Sequence, residues 1–312
     1  MKKNSPPSLA VLGSGWSGSG AMIDLLKKKS RVASYPYELD FWRRPNGLHD
    51  SKSRRELLFF FGSEIFASLN LIFKTFCKLV IQPSALKINL KGISIQLRMF
   101  ILMTIFFSFT IFNSEVQSKK IYFLKMFKLF FGGNVSVFIY DQAVFLEQIN
   151  DANLGDLNVD VCIIVLRDVF DQVQDLLNNS SFLKTSTIRE SFFLGAQGDF
   201  GINSNSLQLK LVLLTLKHRI HKIRQLVTLY PDAFLILKYE DIVEDTDLVV
   251  SKVNKFLQLR GFPSSFIELN GAKEIFLSSR ENIGIGNQTY WEHLSIMEEI
   301  NKETNFLISK FK

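Results

Sequence analysis

The chain has 312 residues, 47% of them hydrophobic and 21% charged, and carries a net charge of +7. That length can bury the core of one large α/β domain or two smaller ones, and the positive charge favours anionic partners such as a phosphorylated cofactor, an acidic glycan, a membrane surface or nucleic acid. The two cysteines lack metal-binding spacing, which argues against a disulfide scaffold and against a zinc site.

The first forty residues predict a strand, a tight turn, a helix and a second strand. Residues 1–15 lack the long apolar stretch and the cleavage site of a signal peptide, so we expect a cytoplasmic protein. An apolar run over 8–15 predicts the first strand, a helical pattern follows from about 19 to 29, and residues 31–40 predict the second strand. This order predicts a three-layer α/β fold, with a central parallel sheet and helices on both faces.

The turn between the first strand and the first helix is rich in glycine and serine, as in loops that bind phosphate. Residues 13–18 read Gly-x-Gly-x-x-Gly, a dinucleotide-binding pattern, and Glu38 falls twenty residues after Gly18, where an acid would meet a ribose. An ATPase or GTPase loop would need a lysine where Ser19 stands. A third kind of loop holds phosphate with main-chain N–H groups and small hydroxyls, which residues 15–20 supply. A plain tight turn of small residues is the remaining alternative.

Residues 51–131 are dense in Phe, Leu and Ile, with interspersed lysines, and predict a helical insertion carried by the same domain. The run 99–112 holds 14 uncharged residues, and such a helix spans about 21 Å, short of the ~30 Å hydrocarbon core of a bilayer. The alternatives are a buried helix, a lid over the acceptor, a peripheral membrane contact through 57–131, and a true span. Four lysines at one-turn spacing would suit anionic headgroups: Lys74 with Lys78, and Lys125 with Lys128.

The second half of the chain returns to alternating strands and helices. Strands are predicted over 135–141, 159–168 and 233–241, and helices over 169–178, 205–229 and 245–257. Charged and aromatic residues stand at the ends of two buried strands and in a late loop before a final helix: Arg167 at the first strand end, Tyr239, Glu240 and Asp241 at the second, and Arg280 and Gly284 in the loop.

The glycine turn and these strand ends together resemble the sulfotransferase family that uses 3′-phosphoadenosine 5′-phosphosulfate, over residues 8–50 and 135–312. The pattern Arg-Asp-x-x-Asp-Gln from Arg167 to Gln172 resembles a bacterial glycan-modifying branch. The resemblance implies a P-loop-like fold in a single domain, residues 1–312, with no metal and no nucleic-acid partner. It implies an enzyme that transfers a sulfuryl group from that co-substrate to a hydroxyl of a carbohydrate, such as a polysaccharide or a lipid-linked glycan.

The resemblance also implies which residues hold the nucleotide. The loop residues would bind the 5′-phosphosulfate: Gly15, Trp16, Ser17, Gly18, Ser19 and Gly20. Arg167 would grip the 3′-phosphate with a bidentate fork, and the loop of Arg280 and Gly284 would close over the same phosphate. Asp175 occupies a further position of that phosphate site.

Other residues of the second half have both a functional and a structural interpretation. Tyr239 matches a family tyrosine near the adenine, whereas Glu240 and Asp241 would cap and brace the following helix. The residues themselves leave alternatives open, because Tyr239 could belong to the core and Arg280 to a solvated loop. Arg167 could also be an ion-pair partner of Asp168 or Asp171.

The general base is predicted near the end of the second strand. Glu38 lies 22 residues after Trp16, where the resemblance implies an acid, and Asp40 is the neighbouring alternative. His49 is the second candidate, because an imidazole needs little pKa adjustment to act as a base at neutral pH.

Two residues depart from the family pattern. Trp16 stands where the family usually has Arg or Lys facing the phosphosulfate, and Asp175 stands where it commonly has Ser. These departures favour a second hypothesis, a catalytically weakened relative that binds a nucleotide or a glycan. The third hypothesis is a dinucleotide-dependent oxidoreductase, based on the Gly-x-Gly-x-x-Gly pattern alone.

Overall fold

A central parallel β-sheet organises the protein, as seen in a computed structural model that describes residues 7–13, 17–27, 32–34, 47–48, 51–81, 86–112, 116–132, 137–141, 159–178, 183–184, 187, 204–262 and 291–311. The strands in these ranges are β1 (Ser8–Gly13), β2 (Val32–Ser34), β3 (Val137–Asp141), β4 (Val161–Leu166) and β5 (Phe234–Lys238). Their order in the sheet is β2-β3-β1-β4-β5, and every neighbouring pair is parallel. The predicted parallel sheet is therefore confirmed.

The helices follow the predicted order along the chain. They are α1 (Ser19–Lys27), α2 (Arg54–Ile81), α3 (Leu86–Phe112), α4 (Val116–Gly132), α5 (Val169–Asn178), α6 (Asn205–Leu229), α7 (Tyr239–Glu244), α8 (Thr246–Gln258) and α9 (Leu294–Lys310). Capping signals in the sequence explain where several of them begin. The side chain of Asp245, for example, accepts a hydrogen bond from the Leu248 N–H at 3.1 Å and so caps α8.

Helices cover both faces of the sheet, because successive side chains of a strand point in opposite directions. In β1, Ala10 and Leu12 pack with α2 to α6 and α9, whereas Leu9 and Val11 pack with α1, α7 and α8. All six residues of β4 are buried, as expected for a strand covered on both faces. The predicted three-layer α/β architecture is confirmed.

The Phe-rich insertion is helical, as predicted, and α2 and α3 form an antiparallel hairpin. The Arg54 guanidinium at the start of α2 donates to the carbonyl oxygen of Thr110 at 3.1 Å, near the end of α3. A capping box begins α2: the Glu56 N–H donates to Ser53 Oγ at 3.2 Å, and the Glu56 carboxylate accepts from the Ser53 N–H at 3.2 Å. These contacts fix the base of the hairpin.

A continuous series of aromatic contacts joins the insertion to the sheet. Ring centroids lie 6.0 Å apart for Phe61 and Phe106, 5.1 Å for Phe106 and Phe123, and 6.1 Å for Phe123 and Phe127. Phe127 in turn lies 6.1 Å from Phe138 of β3. Stacked, edge and tilted aromatic pairs of this kind stabilise a core beyond the area that they bury.

One strand prediction needs correction at its end, and another is described only in part. The strand predicted over 233–241 ends at Lys238, and Tyr239 instead begins α7. The second predicted strand is described only over β2, since residues 35–40 lie outside the described ranges. The apolar run at 234–237 gives no signal for where the strand stops, because the residues that follow are compatible with either structure.

Lys128 was predicted to suit lipid headgroups, and the structure corrects this. Its side chain is buried, and Nζ donates to Ser8 Oγ at 3.1 Å. The Ser8 hydroxyl and N–H both donate to Asp160 Oδ2, at 3.0 and 2.8 Å. The ammonium and the carboxylate thus share one hydroxyl at the amino end of the sheet, an arrangement that lets a buried charge remain hydrogen-bonded.

Candidate functional site

The carboxyl ends of β1, β4 and β5 lie side by side at one edge of the sheet, because these strands are parallel neighbours. From β1 the chain runs through α1 to β2 on one side, and from β4 it runs through α5 and α6 to β5 on the other. The two connections also cover opposite faces of the sheet. Such a reversal is a topological switch point, and open α/β sheets bind ligands in the crevice outside it.

The loop that follows β1 curls tightly over the end of that strand. A Cβ on Gly13 would lie much closer than 3.0 Å to Ser17 Oγ and 3.0 Å from Ser19 Oγ, so the two hydroxyls converge above Gly13. Ser17 is 1% exposed, and its Oγ has no hydrogen-bond partner among the described residues. A buried hydroxyl in that state costs free energy unless a ligand or water completes it. The loop therefore presents hydroxyls at the N-terminus of α1, where the helix dipole and the first N–H groups favour an anion.

The position of Gly18 requires glycine for two reasons, its backbone conformation and a neighbouring ring. Its φ of +81° lies in the left-handed region, which favours glycine. A Cβ there would overlap Cδ2, Cε2 and Cγ of Tyr239, all closer than 3.0 Å. Gly20, in contrast, has open space around it, so that position does not require glycine. The tyrosine at the end of β5 therefore packs directly on the loop after β1.

Arg167 at the end of β4 contacts the same ring. Its guanidinium carbon lies 4.9 Å from the centroid of Tyr239, and the residue is 8% exposed. Cation–π contacts of this geometry are worth about 0.5–2 kcal/mol. Among the described residues, Arg167 Nε has no hydrogen-bond partner. A single aromatic ring thus joins the glycine loop to a buried cation across the switch point.

The ion-pair partner of Arg167 differs from both predicted alternatives. Arg167 Nη1 donates to Asp175 Oδ2 at 2.5 Å, rather than to Asp168 or Asp171. Asp175 lies two turns along α5, so its side chain returns toward the helix N-terminus and meets Arg167 there. The carboxylate therefore faces the predicted phosphate site.

Asp168 and Glu240 brace the Arg167 backbone. The Asp168 N–H donates to Glu240 Oε1 at 3.1 Å, and the Asp168 carboxylate accepts from the Phe170 N–H at 2.7 Å and from Asn301 Nδ2 at 3.0 Å. Glu240 was predicted to cap the helix after β5, and it supports the neighbouring strand end instead. Asn301 was not predicted, because it lies in the middle of α9 without any motif around it.

Several predicted site residues lie outside the described residues: Gly15, Trp16, Glu38, His49, Arg280 and Gly284. Their predicted roles in nucleotide binding and as the general base therefore stay predictions. Of the predicted nucleotide site, the structure places Ser17, Gly18, Arg167 and Tyr239 together at the crevice, with Asp175 beside Arg167.

The pKa values that depart most from their ordinary range belong to the sheet interior. Burial raises the pKa of Tyr140 well above 10, and the negative charge of Asp160 adds to this effect. Burial also raises the pKa of Cys162 to about 12. Both groups are therefore neutral at physiological pH. Within the described ranges, no three His, Cys, Asp or Glu side chains are grouped as metal ligands would be.

Comparisons with known proteins give little support beyond the geometry. No protein-family model and no curated protein matches the sequence. Among solved structures, the sulfotransferase domain from the curacin biosynthetic pathway is similar, with a TM-score of 0.48 and 12% sequence identity over 99% of this chain and 98% of that one. We therefore infer the function from the residues of the crevice.

Proposed function

We propose that the switch-point crevice binds 3′-phosphoadenosine 5′-phosphosulfate, and that the protein transfers its sulfuryl group to a carbohydrate hydroxyl. The observation that carries this proposal is the Tyr239 ring, which packs on Gly18 of the loop and lies 4.9 Å from the Arg167 guanidinium. Two separate anion-binding features are thereby held within reach of one small molecule.

The charge of the donor explains why two such features are needed. A 3′-phosphate and a 5′-phosphosulfate together carry about four negative charges. The N-terminus of α1, with the Ser17 and Ser19 hydroxyls, would hold the phosphosulfate end, whereas Arg167 would hold the 3′-phosphate. A single helix dipole, equivalent to about half a charge, could not neutralise both ends.

The proposed reaction is an in-line displacement at sulfur. The acceptor oxygen forms a bond to sulfur, the bond from sulfur to the bridging phosphate oxygen breaks, and that oxygen leaves with the electron pair. Glu38, or His49 as the second candidate, would take the hydroxyl proton. The loop N–H groups would stabilise the charge that develops on the leaving oxygen. Replacement of Glu38 by Gln should abolish transfer and leave nucleotide binding intact.

The strand order argues against the dinucleotide-dependent oxidoreductase. In the dinucleotide-binding fold, β2 pairs with β1, so an acid at the end of β2 reaches the ribose from the adjacent strand. Here β3 separates β2 from β1, which puts β2 about 10 Å away at the usual strand spacing. The Gly-x-Gly-x-x-Gly loop therefore lacks the adjacent β2 strand that would bring an acid to the ribose.

The ion pair between Arg167 and Asp175 favours a second candidate function. A carboxylate 2.5 Å from the guanidinium competes with a phosphate for the same donors. A relative that binds a nucleotide weakly, or a less charged ligand, would fit this arrangement better than a fast sulfotransferase. Replacement of Asp175 by Ser tests whether Arg167 receives the phosphate, since removing the competing charge should then strengthen nucleotide binding at least tenfold.

Calorimetric titration with adenosine 3′,5′-bisphosphate tests the nucleotide site. Loss of charge-assisted hydrogen bonds in Arg167→Ala should weaken binding by about 1.5–3 kcal/mol. Arg260 is a matched control, because it also stacks on a ring, Phe256 at 3.9 Å, and pairs with an aspartate, Asp232, but beside the amino end of β5. Arg260→Ala should bind the nucleotide like the wild type.

Two results would contradict the proposal. Equal affinity of Arg167→Ala and the wild type for the bisphosphate would show that Arg167 does not bind the nucleotide. Binding of NAD(P) but not of the bisphosphate would favour the oxidoreductase hypothesis instead. Transfer of radiolabelled sulfate from the donor to extracted glycans then distinguishes an enzyme from a relative that only binds.

A further inference from the structure

Exposed apolar side chains concentrate on the helical insertion. Of the twenty large hydrophobic residues that are exposed in the described part of the chain, thirteen lie on α2, α3 and α4. They are Phe59, Phe66, Leu69, Leu71, Phe73, Leu97, Ile101, Ile105, Phe109, Ile111, Phe112, Tyr122 and Leu129. Scattered single residues of this kind are normal on a protein surface, but an accumulation on one element marks an interaction surface.

The exposed residues of α2 form a regular stripe. Phe59, Phe66 and Phe73 recur every seven residues, which places them on one side of the helix, and they are 75%, 73% and 69% exposed. On α3, Ile101, Ile105 and Phe109 recur every four residues and are 40–45% exposed. We call the α2 residues the Phe stripe. On its inner side, α2 buries Phe60 and Phe61 against the core. The helix is therefore apolar on both its inner and its outer side.

Two windows of the hairpin, Arg54–Thr75 and Ser94–Phe112, are long and apolar enough to cross a membrane by length and composition. The second window is longer than the predicted run 99–112, and the first was not predicted. Only 22% and 28% of these windows are buried. Their inner sides nevertheless pack on the sheet through the aromatic series, which keeps part of the hairpin out of lipid. A surface-bound hairpin reconciles both observations better than a span.

The charge of the insertion identifies what covers this surface. Residues 51–132 contain twelve Lys or Arg and three Asp or Glu, a net charge of +9, whereas the whole chain carries +7. The rest of the protein therefore has a net charge of −2. Exposed cations are spread over the insertion: Arg55 and Lys74 lie near the two ends of the Phe stripe in sequence, and Arg98 lies on α3. Two copies of such a surface would repel each other, whereas anionic headgroups would attract it.

We propose that the α2–α3 hairpin binds the surface of an anionic lipid bilayer, with the Phe stripe inserted at the boundary between headgroups and acyl chains. Aromatic side chains favour that depth, and the neighbouring lysines and arginines contact lipid phosphates. This inference is independent of the proposed nucleotide site, because it requires neither a ligand nor catalysis.

Vesicle flotation with a probe on Cys77 tests the proposal. Cys77 is exposed on α2, four residues beyond Phe73, whereas Cys162 is buried, so an environment-sensitive fluorophore can be attached to Cys77 alone. The labelled protein is mixed with vesicles of phosphatidylcholine and phosphatidylglycerol, or of phosphatidylcholine only. We expect the protein to float with the anionic vesicles. The emission of the fluorophore should shift to the blue and be quenched by a lipid-borne quencher.

A triple variant and a matched control define the outcome. Phe59→Ser, Phe66→Ser and Phe73→Ser together should reduce binding to anionic vesicles at least about tenfold, because they remove most of the inserted apolar area. Leu229→Ser with Leu259→Ser, which are 59% and 74% exposed outside the insertion, should bind like the wild type. Because all five residues are exposed, none of these changes should disturb folding.

Three outcomes would overturn the proposal. The first is a wild-type protein that does not bind anionic vesicles, and the second is a triple variant that binds as well as the wild type. The third is a dimer in solution that the triple variant dissociates, without any vesicle binding, which would assign the Phe stripe to a second copy of the chain.

Discussion

Replacement of Gly18 by alanine should destabilise the protein by about 2–5 kcal/mol. Two costs add. An L-residue at φ +81° pays about 1–2 kcal/mol for the left-handed conformation. The new Cβ also overlaps the Tyr239 ring, and relief of such overpacking costs about 1–3 kcal/mol. The displaced ring would then lose its stacking on Arg167, so affinity for adenosine 3′,5′-bisphosphate should fall as well.

The assay is urea unfolding of Gly18→Ala beside Gly20→Ala. Gly20 is exposed, near the start of α1, and has open space around it, so alanine there should be neutral or stabilise the helix by about 0.5–1 kcal/mol. In a Tyr239→Ala background, Gly18→Ala should retain only its backbone cost, leaving a coupling energy of about 1–3 kcal/mol. Equal stability of the two alanine variants would refute the contact between loop and ring.

Three further predictions concern the insertion and the core. Phe123→Ala should lower the free energy of unfolding in urea by about 3–5 kcal/mol, because the side chain is fully buried in the aromatic series. Phe59→Ala, at an exposed position, should change it by less than ~0.5 kcal/mol. Similar losses in the two variants would contradict the assigned packing. Backbone N–H groups at the start of α2 lower the pKa of Glu56 below 4.5 in the folded protein. The ionised carboxylate therefore stabilises the fold above pH 4.5, and this contribution is lost as the pH falls through the lower folded pKa. Glu56→Gln should be less stable than the wild type at neutral pH and equally stable in acid, and a difference in stability that does not change with pH would contradict this. A thiol reagent at pH 8 should modify Cys77 and spare Cys162, whose pKa is about 12. Mass spectrometry counts the modified cysteines, and two of them in the folded protein would refute the burial of Cys162.

The sequence by itself determined the local elements and their faces. The burial of β1, the continuous apolar run of β4 and the bounds of α6 follow from periodicity and composition within each segment. The tight turn after β1 was also predicted, because glycine and serine dominate residues 13–20. These features depend on neighbours along the chain, which is why they could be predicted without a structure.

The tertiary structure decided which side chains meet. Asp175 was predicted beside a phosphate site, and its ion pair with Arg167 depends on the arrival of α5 beside β4. Lys128 had the spacing of a lipid-facing residue, yet α4 turns it toward Ser8 and the interior. Asn301 contacts Asp168 across 133 positions of sequence. Such contacts depend on how helices and strands cross in space, and the sequence around each residue carries no signal of that crossing.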